Sequence, residues 1–80
     1  MITPNEKVVL EIIAEEGRET TVWKLSSRMA MSTYILDSTC KSLKRRGYIE
    51  FYPLRKVTIT GKGLHAIGKR PLVWRFPADL

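Results

Sequence analysis

The chain has 80 residues, 44% of them hydrophobic, and a formal net charge of +6. A chain of this size buries only about 60% of the surface it exposes when unfolded, which points to one small domain and argues against a deep catalytic cleft. No apolar run approaches the ~18 residues of a membrane span, "MITPNEKVV" lacks the basic-then-apolar pattern expected of a secretion signal, and the lone Cys40 permits neither an internal disulfide nor a cysteine cluster around zinc. A cytoplasmic protein with no cofactor and no membrane partner is the expectation. The charge is unevenly spread: residues 1–19 carry five acidic side chains against two basic ones, and residues 20–80 carry twelve basic against three acidic. That asymmetry favours a polyanionic partner met by the later two-thirds of the chain.

In chain order, "TPNEKVVLEIIAEEG" marks a first helix. Thr3 is placed to cap it, Pro4 occupies the first helical position, Glu6 closes a capping box, and Gly17 is the stop. Helical spacing sets Val8, Val9, Ile12 and Ile13 on one side and Lys7, Glu11 and Arg18 on the other. "ETTVWKLSSRMA" predicts a shorter second helix, capped by Thr20 or Thr21, with Val22, Leu25, Ser26 and Met29 inward and Trp23 at the border.

A third helix starts at Ser32, as N-cap, and ends at Gly47, as left-handed terminator. At about 100° per residue, Leu36, Cys40 and Leu43 share one face, with Thr39 at its edge. Tyr34, Ser38, Lys41 and Arg45 share the opposite face within about 60° of one another. Cys40 therefore reads as a small core residue, and the outward ridge carries two hydroxyls and two long cations. The cations also suit the negative end of the helix dipole, so charge alone does not assign the ridge a partner.

After Gly47 the period changes to two. "YIEFY" and "KVTIT" alternate, with Ile49, Phe51, Val57 and Ile59 facing one way and "PLRK" between them as a hairpin loop. Pro53 belongs at the loop because it cannot donate to a strand ladder. Thr60 is placed to cap a short fourth helix carrying Leu64 and Ile67, and "KRPLVWRFPADL" reads as extended. The expected organisation is one domain over residues 1–70 and an extended tail over 71–80.

With so few residues between the second and third helices, the two must cross as a helix-turn-helix. "TVWKLSSRMAMSTYILDSTCKSLKRRGYIE" followed by "VTITGKG" resembles the winged helix-turn-helix DNA-binding domain of the MarR-like type, over roughly residues 5 to 68. The resemblance is carried by Ser32 after the turn, by "LKRRGYI" at the end of the third helix, and by "ITGKG" after the second wing strand. Ala30 stands where that family often has glycine, and its extra dimerisation helices are missing.

The resemblance implies an α+β fold, a winged helix-turn-helix with a three-helix core, a β-hairpin wing and a short C-terminal helix. It implies a DNA-binding protein, expected to be a transcriptional regulator, with double-stranded DNA as partner and the third helix in the major groove. Tyr34 and Ser38 would approach base edges or nearby phosphates, and Lys41 a guanine acceptor or a phosphate. Arg45 would contact backbone, and Ser32, Thr33 and Ser42 complete the contacting set on that helix. Arg55 and Lys56 at the hairpin tip would reach a flanking phosphate strand or the adjacent minor groove. Lys44, Arg46 and Lys62 would widen the positive field without fixed contacts.

The competing expectation is a protein-docking module of a larger assembly. Trp74 and Phe76 flank Arg75, and together with Trp23 they either pack within the domain or form a homodimer seam or partner patch. "GLHAIGKR" has the glycine-to-lysine spacing of a phosphate loop but ends in Arg70 instead of a hydroxyl residue, with Pro71 next, and is read as coincidence. His65 is the single histidine and has no metal or base–nucleophile cluster in the sequence around it. An enzyme is not expected.

Overall fold

Each helix begins where a side chain replaces the backbone partners that its first turn lacks. In the computed structural model, which describes residues 2–68, Thr3 opens α1 (Pro4–Glu15) with a full capping box. Thr3 Oγ1 accepts from the Glu6 amide at 3.2 Å, and Glu6 Oε1 accepts from the Thr3 amide at 2.9 Å. The proposed tail at 71–80, with Trp74 and Phe76, lies outside the described residues.

The inner face of α1 differs from the sequence expectation at two positions. Val8 is 40% exposed, whereas Leu10 is completely buried with Val9 and Ile13. The buried arc is centred between Val9 and Leu10, so Val8 falls beyond its edge and Glu6 falls inside it. Arg18 lies past the helix end, with a positive φ of 74°.

A three-residue strand that the sequence reading missed, β1 (Glu19–Thr21), precedes α2 (Val22–Met29). Thr21 is the N-cap of α2, its Oγ1 accepting from the Lys24 amide at 3.2 Å, while Thr20 is buried in the strand. Val22 and Leu25 are buried and Ser26 and Met29 half-buried, as the spacing predicts. Ala30 ends α2 in the left-handed region at φ 55°, ψ 41°. Ala30, Met31 and Ser32 lead into α3 (Thr33–Arg45), the turn being closed by a hydrogen bond from Ser26 Oγ to the Met31 carbonyl.

Ser32 caps α3 by accepting from the Ile35 amide at 3.2 Å. Leu36, Cys40 and Leu43 are completely buried, an anchorage of roughly 2 kcal/mol per large aliphatic side chain. Their burial fixes the rotation of the helix, and hence which face looks outward. Burial also pushes the Cys40 thiol up to about 12, with the Asp37 carboxylate adding to the rise. Such a thiol stays protonated and behaves as a small core residue.

Gly47, at φ +88°, reverses the chain into β2 (Ile49–Tyr52). β2 pairs antiparallel with β3 (Lys56–Ile59) from Ile49↔Ile59 to Tyr52↔Lys56. β1 pairs with the other edge of β3, so the order is β1-β3-β2 and the second wing strand is central. A tight three-residue turn, Pro53–Arg55, joins the two wing strands. Leu54 and Arg55 there both have positive φ, at 66° and 57°, without being glycine.

Thr60 then caps α4 (Gly61–Ala66), where Gly63 is hemmed in. A Cβ at that position would stand 2.3 Å from the Tyr48 carbonyl oxygen and 2.7 Å from Ile59 Cγ1. One core joins the inner faces of α1, α2 and α3 to Ile49, Val57, Ile59 and Leu64. The architecture is α+β with a winged-helix topology: three helices, a hairpin wing, and a short final helix.

Candidate nucleic-acid interface

With Leu36, Cys40 and Leu43 facing the core, geometry alone turns Tyr34, Ser38, Lys41 and Arg45 outward. All four are exposed, Tyr34 at 84%. They border a shallow hollow of about 320 Å³, with Asp37 as the fifth lining residue. Ser32 is exposed but its hydroxyl is committed to capping, and Thr33 and Ser42 are half-buried on the flanks of the ridge. Of the nine residues expected to make contacts, four thus form one continuous surface, and Ser32, Thr33 and Ser42 border it.

Arg55 and Lys56 are placed differently from the expectation of two free cations at the wing tip. Arg55 folds back onto α3, with Nε 3.4 Å from Asp37 Oδ1 and the guanidinium 6.0 Å from the Trp23 ring centroid. Lys56 turns to the opposite edge of β3 and pairs with Glu19 at 2.6 Å. That carboxylate holds the Lys56 proton, raising its pKa from the ordinary lysine value. Both side chains remain about half exposed, and such pairs contribute little to stability. The apex of the wing is instead Leu54, 83% exposed.

Arg46 and Lys62 correct a second expectation, since both make fixed contacts behind the ridge. Arg46 pairs with Glu6 on α1 and lies over the Tyr48 ring, 5.5 Å from its centroid. Lys62 Nζ donates to the Arg46 carbonyl at 2.7 Å and sits 4.9 Å from the same ring centroid. Thr60 Oγ1 lies 2.7 Å from the Gly47 carbonyl and 3.0 Å from that of Tyr48. These contacts tie the end of α3 to α1, β2 and α4. Burial would raise the Glu6 pKa, but hydrogen bonds from Arg46 and the Thr3 backbone, with the charge of Arg46, hold it below the ordinary value.

The sequence asymmetry of charge becomes a spatial one. Carboxylates of the first nineteen residues pair with cations on α2, β3 and the back of α3: Glu15 and Glu16 with Arg28, Glu16 with Lys24, Glu19 with Lys56, Glu6 with Arg46. Among the described residues, no carboxylate pairs with Lys41, Lys44 or Arg45. The positive charge left uncompensated on α3 therefore lies on its exposed side.

A second hollow, of about 480 Å³, lies between β1 and the start of α2, but its Lys24 and Lys56 are already paired with Glu16 and Glu19. Among the described residues, no group of histidine, cysteine and carboxylate side chains could hold a metal ion, and no helix is long and apolar enough to cross a membrane.

Two roles escaped the sequence reading: that of Asp37 on the ridge, and that of Glu6 beyond its capping box, as the buried partner of Arg46. Asp37 lies about 60° from Tyr34 around the helix and so belongs to the ridge; a search confined to cations and hydroxyls passes over it. Glu6 shares i, i+4 and i+7 spacing with Leu10 and Ile13, which signals a buried acid in need of a basic partner. Compared with family models, curated proteins and solved structures, the chain matches none of them.

Proposed function

We propose that this chain binds double-stranded DNA, with α3 in the major groove, as its resemblance to MarR-like transcriptional regulators implies. The observation that carries the proposal is the exposed ridge of Tyr34, Ser38, Lys41 and Arg45, which the other described elements leave uncovered. A helix with its side chains is about 10–12 Å across, and the B-form major groove is about 12 Å wide. The deep, narrow major groove of A-form RNA would not admit it. Lys41 and Arg45 supply phosphate or guanine contacts, and Tyr34 and Ser38 approach from the N-terminal half of the helix. Lys56 joins by exchanging its weak ion pair with Glu19 for a phosphate oxygen, and Arg55, which keeps Asp37 at its Nε, offers its remaining guanidinium N–H groups to the flanking phosphates.

The test is binding to a short duplex of random sequence over a salt series, comparing wild type with Lys41→Ala/Arg45→Ala. The variant is expected to bind about tenfold more weakly at low salt, with a salt dependence shallower by up to about 1.8 in log–log slope. Equal affinity for the two proteins would end the DNA reading. It would turn attention to a docking module, which the exposure of Leu54 and Ile35 favours as the second reading.

A further inference from the structure

Asp37 is the one acidic residue lining the hollow on the proposed reading face of α3, where the duplex reading sets it against a polyanion. A carboxylate there would repel phosphate, unless a cation accompanied it and a donor awaited it. The structure supplies the cation. Arg55 comes from the wing to within 3.4 Å of Asp37 Oδ1, and its guanidinium lies over the Trp23 ring, 6.0 Å from the centroid. Oδ1 is buried in that contact, without the alignment of a hydrogen bond. Among the described residues Oδ2 makes no hydrogen bond or ion pair. The part of the side chain that remains exposed lines the hollow with Tyr34, Ser38, Lys41 and Arg45.

An ionised carboxylate only accepts hydrogen bonds. In the major groove, guanine offers N7 and O6, both acceptors, and thymine offers O4 and a methyl group, so neither satisfies it. The exocyclic amines of cytosine and adenine do. Adenine sets its amine beside the N7 acceptor, which repels a carboxylate, whereas cytosine N4 has a carbon on that side. Lys41, one turn further along α3, is placed to donate to O6 and N7 of a guanine on the complementary strand or at the next step.

We propose that Asp37 is a specificity-determining residue that accepts from cytosine N4, held in position by Arg55 and Trp23. The inference rests on the duplex-binding reading above. It adds a sequence preference to an interface whose other side chains are suited mainly to phosphate.

The test is selection from a duplex pool with a randomised centre, using wild type, Asp37→Asn and Asp37→Ala, followed by affinities for the recovered duplexes. Wild type is expected to recover cytosine at one position, and changing that C·G pair to T·A should weaken binding roughly five- to tenfold. Asp37→Asn, whose amide both donates and accepts, should move the preference at that position to adenine. Asp37→Ala should lose preference there while keeping it elsewhere, with overall affinity equal or higher. If all three proteins bind duplex and recover the same base pattern, Asp37 is only a tether for Arg55 and the proposal falls while duplex binding stands. If wild type binds no duplex at all, the groove reading itself falls, and this inference with it.

Discussion

Arg45 and Arg46 are neighbours at the end of α3, yet one faces solvent on the ridge and the other reaches Glu6, forty residues away in sequence. The contrast extends to the regions around them. On the front lie exposed, uncompensated cations at a hollow; on the back, Glu6, Arg46, Tyr48, Lys62 and Thr60 lock three helices and a strand together. Charge type therefore says little about role in this protein. Its surroundings decide: Arg46 and Lys62 are structural because Glu6, a backbone carbonyl and the Tyr48 ring meet them, whereas Lys41 and Arg45 have no such partner among the described residues.

The comparison breaks most visibly at Gly63, on the rear side. Gly63→Ala would force a methyl group into the Tyr48 carbonyl and Ile59, neither of which is the free end of a flexible chain. The expected cost is about 3 kcal/mol, a fall in Tm on the order of 15 °C by thermal denaturation. A loss within a degree or two would show that α4 is not locked against the sheet.

Arg46→Ala and Arg45→Ala sharpen the contrast directly. Arg46→Ala should lower stability by about 1–2 kcal/mol, discounted from a fully buried pair because the Arg46 side chain is 35% exposed. Arg45→Ala should leave Tm unchanged and weaken duplex binding. Equal melting losses for the two would erase the distinction between front and back.

The same pair governs acid stability. Folding lowers the Glu6 pKa below its ordinary value of 4.5, so above that value the native state gains the full stabilisation. It is lost as pH falls through the lower, folded value, where protonation removes the advantage. Glu16 is also lowered, by hydrogen bonds from Lys24 and then Arg28, but both partners are exposed and the pairs contribute little. Urea unfolding of wild type and Glu6→Gln between pH 7 and pH 3 should therefore show the stability gap closing only below about pH 4.5. A gap constant with pH would assign the effect of Glu6 to packing alone.

The smallest expected effect is a gain. Ala30 is left-handed at φ 55°, where a side chain costs about 1 kcal/mol relative to glycine. Ala30→Gly is expected to be stabilising by somewhat less than that, because glycine also loosens the unfolded chain. Destabilisation on calorimetry would mean that the Ala30 methyl packs in the turn between α2 and α3.

Much of the front was readable in the sequence because it depends on local rules. The N-cap Ser32, the anchoring positions Leu36, Cys40 and Leu43, and the ridge opposite them follow from chemistry within a few residues. The back was hidden because its contacts are long-range. Nothing near Arg46 in sequence distinguishes it from Arg45, and only the fold brings Glu6 to it. β1 was missed for the same reason: "ETT" has no apolar alternation and becomes a strand only by pairing with Val57 and its neighbours. The return of Arg55 to Asp37 depends on two left-handed residues at the wing tip, Leu54 and Arg55, whose types do not announce that conformation.

The central position of β3 has a consequence for how the molecule is made. Thr20 and its partner Val57 are separated by thirty-seven positions along the chain, so during synthesis β1 must wait, with its edge open, until the wing has been completed. Because closing so long a loop precedes any reward from the contacts it allows, the final strand is the step that commits the helices to their arrangement. A nascent chain stopped before Lys56 should hold helices in exchange with coil, with the cooperative structure arriving only when the last strand slides between its two neighbours.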